Sequence, residues 1–75
     1  MLINDIGLNA GTIWYLLHEK GALTIREIGE YTHLQESFIY YSLGWLAREN
    51  KVRFFQKEDS TIHVELANNY TEMYF

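Results

Sequence analysis

Histidine is the side chain best suited to ligating a metal or moving a proton near neutral pH, and the 75-residue chain has three, His18, His33 and His63. No two of them stand at a metal-ligand spacing. His18-Glu19-Lys20-Gly21-Ala22 opens like a two-histidine zinc helix, but Ala22 occupies the position of the second ligand, and the chain has no Cys to build a thiolate site. Ser37, Ser42 and Ser60 lack the turn context that activates a nucleophile. The five glycines, at 7, 11, 21, 29 and 44, form no phosphate-cradling loop after a strand. Trp14 and Trp45 fall at helical core spacing and read as packing rather than as a stacking platform for a ligand. Catalysis, a metal and a cofactor are therefore not expected. What remains is the chemistry of cations and hydroxyls: Arg48, Lys51, Arg53 and Lys57 put four of the six basic residues inside ten positions, directly after a segment carrying Ser37, Tyr40 and Tyr41.

The elements that position these groups follow from periodicity and punctuation. From about Asn4 to Glu19, Ile6, Ala10, Ile13, Leu16 and Leu17 recur at helical spacing, and Lys20-Gly21 supplies a basic last turn and a glycine stop. Gly7 and Gly11, four apart on that helix, leave room for another backbone to approach. Ala22-Leu23-Thr24 is too short for an independent strand. Thr24 and Glu27 have capping-box spacing and open a short second helix with Ile25 and Ile28 inward. His33 stands at the turn that follows, at a site where Gly is common. A third helix runs from about Glu36 to Glu49 with Ile39, Leu43 and Leu46 as its core stripe, Gln35 at the start, where Ser or Thr usually caps, and Asn50 at a left-handed end.

The period then changes from helical to alternating. Val52-Arg53-Phe54-Phe55-Gln56-Lys57 and Thr61-Ile62-His63-Val64-Glu65-Leu66 flank a polar connection, Glu58-Asp59-Ser60, of hairpin length. Alternation places Val52, Phe54, Ile62, Val64 and Leu66 toward the core, and Arg53, Phe55, Lys57, His63 and Glu65 outward, with an Arg53 to Glu65 cross-strand pair.

This order of elements resembles the winged helix-turn-helix. Thr24-Ile25-Arg26-Glu27-Ile28-Gly29, Leu34, the Ile39, Leu43 and Leu46 stripe and Asn50-Lys51-Val52 match its apolar template over residues 24–52. Ala10-Gly11-Thr12-Ile13-Trp14 and Gly44-Trp45-Leu46-Ala47-Arg48-Glu49 are similar to a narrower group, small stand-alone bacterial winged-helix proteins of uncharacterised function, over roughly residues 4–66. The resemblance implies an α+β fold, three helices with a C-terminal two-stranded wing and a short third strand after the first helix. It also implies double-stranded DNA as a partner, the third helix in the major groove and the wing on phosphates, with transcriptional regulation as the role. Ser37, Tyr40, Tyr41, Arg48, Lys51, Arg53 and Lys57 are the residues this assigns to DNA.

Charge and aromatic content pull the other way. Six basic against ten acidic residues give a net charge of −4, whereas a phosphate-gripping domain is expected to carry a basic excess. Among the outward residues of the third helix, Glu36, Ser37, Tyr40, Tyr41, Gly44 and Arg48, none can read a purine bidentately in the central turns. Two Trp, six Tyr and four Phe are enough to build a packed core, but Phe38, Tyr40 and Tyr41 cannot all share the buried face and Phe55 is expected outward. A homodimer, with Gly7, Gly11, Phe38, Phe55, Tyr70, Tyr74 and Phe75 at its interface, is one expectation that this supports. The alternative to DNA binding is a protein-interaction or dimerisation module on the same scaffold. The chain reads as one domain over residues 1–75, with an apolar tail over 67–75, no signal peptide or membrane span, and the cytoplasm as its expected compartment.

Overall fold

The computed structural model describes residues 3–67, with side chains from Asp5 onward. Its elements are α1 (Ile3–Lys20), β1 (Leu23–Thr24), α2 (Ile25–Thr32), α3 (Glu36–Arg48), β2 (Val52–Gln56) and β3 (Ile62–Leu66). The strands form an antiparallel sheet in the order β1-β3-β2, so the central strand is the last in sequence. The expected short strand exists as β1, which gains its partner only because β3 returns beside it, with Leu23 opposite Val64 and Thr24 opposite His63.

Each helix ends where its local chemistry changes. Gly21 adopts φ +84° and its N–H donates to the Leu17 carbonyl at 2.9 Å, closing α1 with the residue that reaches left-handed geometry most readily. At the start of α2 the capping box is complete. The Glu27 N–H donates to Thr24 Oγ1 at 3.1 Å, and the Thr24 N–H donates to Glu27 Oε1 at 2.9 Å. His33 ends α2 at φ 62°, with its N–H on the Gly29 carbonyl. Gln35 starts α3 without a side-chain cap. At the other end, the Asn50 N–H donates to Ala47 O at 3.0 Å and the Lys51 N–H to Leu46 O at 2.9 Å, with Asn50 at φ 59°. That is the paired-bond terminator of a Schellman motif, with Glu49 as the cap residue and not the last helical one.

The core forms between α1, α3 and the sheet. Ala10, Ile13, Trp14 and Leu17 from α1, Ile28 from α2, Ile39, Leu43 and Leu46 from α3, and Leu23, Val52 and Val64 from the strands are all buried. Ser42 lies among them fully buried, and its hydroxyl has no hydrogen-bond partner among the described residues.

Two residues assigned to the core are not in it. Phe54 is 48% exposed and Ile62 51% exposed. Both point to the predicted face, since Phe54 stands opposite buried Val64 and Ile62 opposite Gln56. The hairpin, however, extends past the helical layer, which covers only the Val52 and Val64 end. Conversely Phe55, on the outward face, is half-buried because its ring stacks on His63 at 5.4 Å between centroids. Phe38 is likewise half-buried. A methyl group built on Gly7 meets nothing within 4 Å beyond its own helix, so that position has open space and no other backbone close to it among the described residues.

Three stability measurements test this account. Ser60 occupies the left-handed position (φ 68°) at the end of the hairpin connection, where Gly is favoured, so Ser60→Gly should stabilise by about 1 kcal/mol, which thermal unfolding would read as roughly 4–8 °C in Tm. Ser42→Ala should leave stability unchanged or raise it by about 1 kcal/mol, because it deletes a buried hydroxyl that bonds to nothing among the described residues. The Thr24 N–H, its strongest influence, holds the Glu27 carboxyl below its ordinary value of 4.5. A depressed folded-state value means the cap stabilises fully above the unfolded-state value and loses that contribution as pH falls through the folded one. Glu27→Gln retains the accepting oxygen, so its Tm should drop less than that of the wild type between pH 7 and pH 3; equal drops would remove the charged cap from the acid limb.

Candidate nucleic-acid interface

The face that a helix-turn-helix turns toward DNA is the outer side of α3, and its residues are fixed by what the inner side buries. With Ile39, Ser42, Leu43 and Leu46 inward, Ser37, Tyr40, Tyr41, Gly44 and Arg48 form one exposed stripe at three- and four-residue spacing. Tyr40 and Tyr41 are each more than half exposed. Among the described residues, no hydrogen bond or ring contact engages either phenol or Ser37. The stripe therefore offers three hydroxyl groups along two turns, with one guanidinium at the far end and Glu36 at the near end.

The basic residues predicted to form a wing patch are only partly available. Arg53 Nε lies 2.6 Å from Glu65 Oε2, as the register Arg53 opposite Glu65 requires, so its charge is met by a carboxylate across the strand. Lys57 follows β2 at the wing tip and acts electrostatically on Glu27, whose carboxyl it helps to hold ionised. Lys51 is half-buried at the wing base, whereas Arg48 is fully exposed. The wing tip itself is Glu58-Asp59-Ser60, where the Thr61 N–H donates to Asp59 Oδ1 at 2.9 Å and lowers the pKa of that carboxyl. The four cations thus span the base, middle and tip of the wing instead of converging, and the tip presents anions.

A groove of about 780 Å³ runs between the start of α2, the start of α3 and the hairpin tip. Glu27, Glu30, Glu36 and Asp59 line it with Arg26 and His63, and Arg26 is drawn to Glu30 at 3.4 Å one turn on. No motif signals this groove in the sequence, because its two walls are more than twenty residues apart and meet only through β3 packing beside β1. It sets a negative field beside the stripe of α3.

The three histidines stay apart. His18 stacks on Trp14 at 5.3 Å along α1, His33 holds the turn after α2, and His63 lies under Phe55 on β3. Among the described residues no three His, Asp or Glu side chains gather as a metal site, and no helix is long and apolar enough to cross a membrane. Trp14 is buried and Trp45 half-buried against the core. Tyr70, Tyr74 and Phe75, assigned to a dimer interface, lie outside the described residues.

No match was found among curated proteins. Among solved structures, the chain is similar to the solution NMR structure of protein BT2368 from Bacteroides thetaiotaomicron, with 34% identity, a TM-score of 0.74, and coverage of 81% of this chain and 73% of that one. The family model described as winged helix-turn-helix domain (DUF2582) matches residues 1–66. With the element order, the α2–α3 turn at His33 and the β2–β3 wing in place, the chain belongs to that winged helix-turn-helix family.

Proposed function

We propose that the domain binds duplex DNA through the outer stripe of α3, acting as a homodimeric transcriptional regulator. The observation that carries this reading is the stripe itself. Ser37, Tyr40 and Tyr41 present hydroxyls that nothing else in the described chain uses, and Arg48 closes the row with a cation, on the element that helix-turn-helix domains place in the major groove. Hydroxyl donors suit phosphate oxygens and base edges without fixing a particular base. Arg53 stays with Glu65, and the acidic tip keeps the wing from gripping the backbone closely. The mode is therefore helix-led, with Arg48, Lys51 and Lys57 as its phosphate cations.

A second reading has its own support: the same stripe, with Tyr40 and Tyr41 more than half exposed beside an acidic groove, suits a protein surface better than a polyanion. A protein-interaction module on this scaffold would use those rings as apolar contacts.

Fluorescence anisotropy of a mixed-sequence duplex at two salt concentrations separates the two. Three phosphate cations predict weak binding whose log–log salt slope is no steeper than about −3. Tyr40→Ala, Tyr41→Ala and Arg48→Ala should each weaken it by about tenfold, equivalent to about 1.4 kcal/mol, while the double variant Arg53→Ala with Glu65→Ala should change little because it removes a cation and the carboxylate that already pairs with it. Absence of binding at low salt, or affinity indifferent to the α3 variants, would sink the DNA reading and move the stripe to a protein partner.

A further inference from the structure

The hydrogen-bond parity of the wing shows which backbone groups it leaves open. The Ala67 N–H donates to Lys51 O at 2.9 Å, and the Lys57 N–H donates to Thr61 O at 3.0 Å. Both couples belong to the same register that sets Arg53 opposite Glu65 and Phe55 opposite His63. In an antiparallel ladder, bonded and non-bonded couples alternate. The odd-numbered residues of β2 therefore bond to β3, and Val52, Phe54 and Gln56 turn their N–H and C=O groups away from it. On that side β2 is the edge of the sheet among the described residues. These are the residues that also face the helical side, where Phe54 is 48% exposed. An open strand edge with an uncovered aromatic ring at its centre is a template for another strand.

We infer that this edge pairs with β2 of a second copy, antiparallel about a two-fold axis through Phe54, to make one six-stranded sheet. The strand is self-complementary in that register alone. Phe54 then meets Phe54 of the second copy as a bonded couple, and Val52 meets Gln56 at either side, so every outward N–H and C=O of residues 52, 54 and 56 finds a partner. Centring on Arg53 instead would oppose two like charges, and centring on Phe55 would leave Val52 unbonded. On the outer face, the Phe54-centred register sets Arg53 opposite Phe55 of the second copy, a guanidinium beside a ring. Each Arg53 already holds Glu65 and each Phe55 already stacks on His63, so one row of carboxylate, guanidinium and two rings crosses the seam in each direction. On the inner face the two Phe54 rings cover one another, which accounts for a large apolar side chain that the helices leave bare.

Charge gives the interface a recognisable signature. Each copy carries a net charge of −4, so two copies repel one another at long range, and salt screens that repulsion. Association should therefore tighten as salt rises, whereas DNA binding weakens. The inference rests on the homodimer half of the proposed function and is independent of DNA.

The test combines mass with amide exchange on the full chain. Sedimentation equilibrium across micromolar to high micromolar concentrations should show a monomer–dimer equilibrium that shifts toward dimer with added salt. Hydrogen exchange by NMR should show the Phe54 and Gln56 amides, which the ladder leaves without a partner among the described residues, gaining protection in step with dimer formation. Phe54→Lys, at an exposed position, should weaken dimerisation by at least about tenfold with an unchanged circular dichroism spectrum. Gln56→Pro should do the same by removing an outward N–H without touching a β3 bond. A monomeric mass throughout overturns both the edge pairing and the homodimer reading. A dimer whose Phe54 and Gln56 amides still exchange rapidly overturns the edge pairing alone, and a monomer in which they are protected does so by placing another segment of the same chain on the edge.

Discussion

The packing of α1 against α3 is the constraint from which the rest of the molecule follows. Ile13, Leu17, Ile39, Leu43 and Leu46 are each at most 2% exposed, and a side chain of that size contributes roughly 1.5–3 kcal/mol when fully buried. Once those residues define the inner face of α3, the helical period leaves no freedom over its outer face, and Ser37, Tyr40, Tyr41 and Arg48 are presented together as a consequence. The same seam sets the size of the helical layer. It reaches Val64, Val52 and Leu23 and stops there, so the far half of the wing projects beyond it. The bare Phe54 and Ile62 are not defects of patterning. They are the hydrophobic face of a hairpin longer than the helices that roof it.

The molecule's electrostatics are likewise a matter of geometry more than of total charge. A net charge of −4 would not by itself bar a nucleic-acid surface if the cations converged. Strand register separates them: it delivers Glu65 to Arg53 and leaves Lys57 at a tip already occupied by Glu58 and Asp59. The pairing of Arg53 with Glu65 is a partly exposed contact worth little to stability, yet it matters for binding because it spends a cation that phosphate would otherwise need. The acidic groove beside α3 arises in the same way, from residues distant in sequence that β3 brings to one side of the sheet.

Local chemistry was the most legible part of the fold. Thr24 and Glu27 announce a capping box, Lys20-Gly21 a helix stop, and Asn50 a left-handed terminator, because each feature is decided within a few residues. His33 at the α2–α3 turn shows the same, even though it is not the residue that the turn favours. The Arg53 to Glu65 pair was also readable, since a polar connection of fixed length determines the register of both strands. The identity of the exposed α3 stripe followed from Ile39, Leu43 and Leu46 alone.

What the pattern could not convey was coverage. Alternation assigns Phe54 and Ile62 to the same face as Val52 and Val64, correctly, but the depth of burial on that face depends on how far α1 and α3 extend over it, which is a property of tertiary packing. The outward Phe55 fails in the opposite sense: the register that pairs Arg53 with Glu65 sets His63 opposite it on the same face, and the stacking of the two rings shields it, which alternation alone does not convey. Backbone edges are harder still: the outward N–H and C=O groups of Phe54 and Gln56 belong to no residue type and leave no trace in composition. They become visible only when the bonded couples at Lys51 and Lys57 fix the parity of the ladder. The edge proposed for a symmetric assembly is thus a feature that side-chain chemistry does not encode, and the aromatic residue at its centre is among those whose exposure the side-chain pattern misjudged.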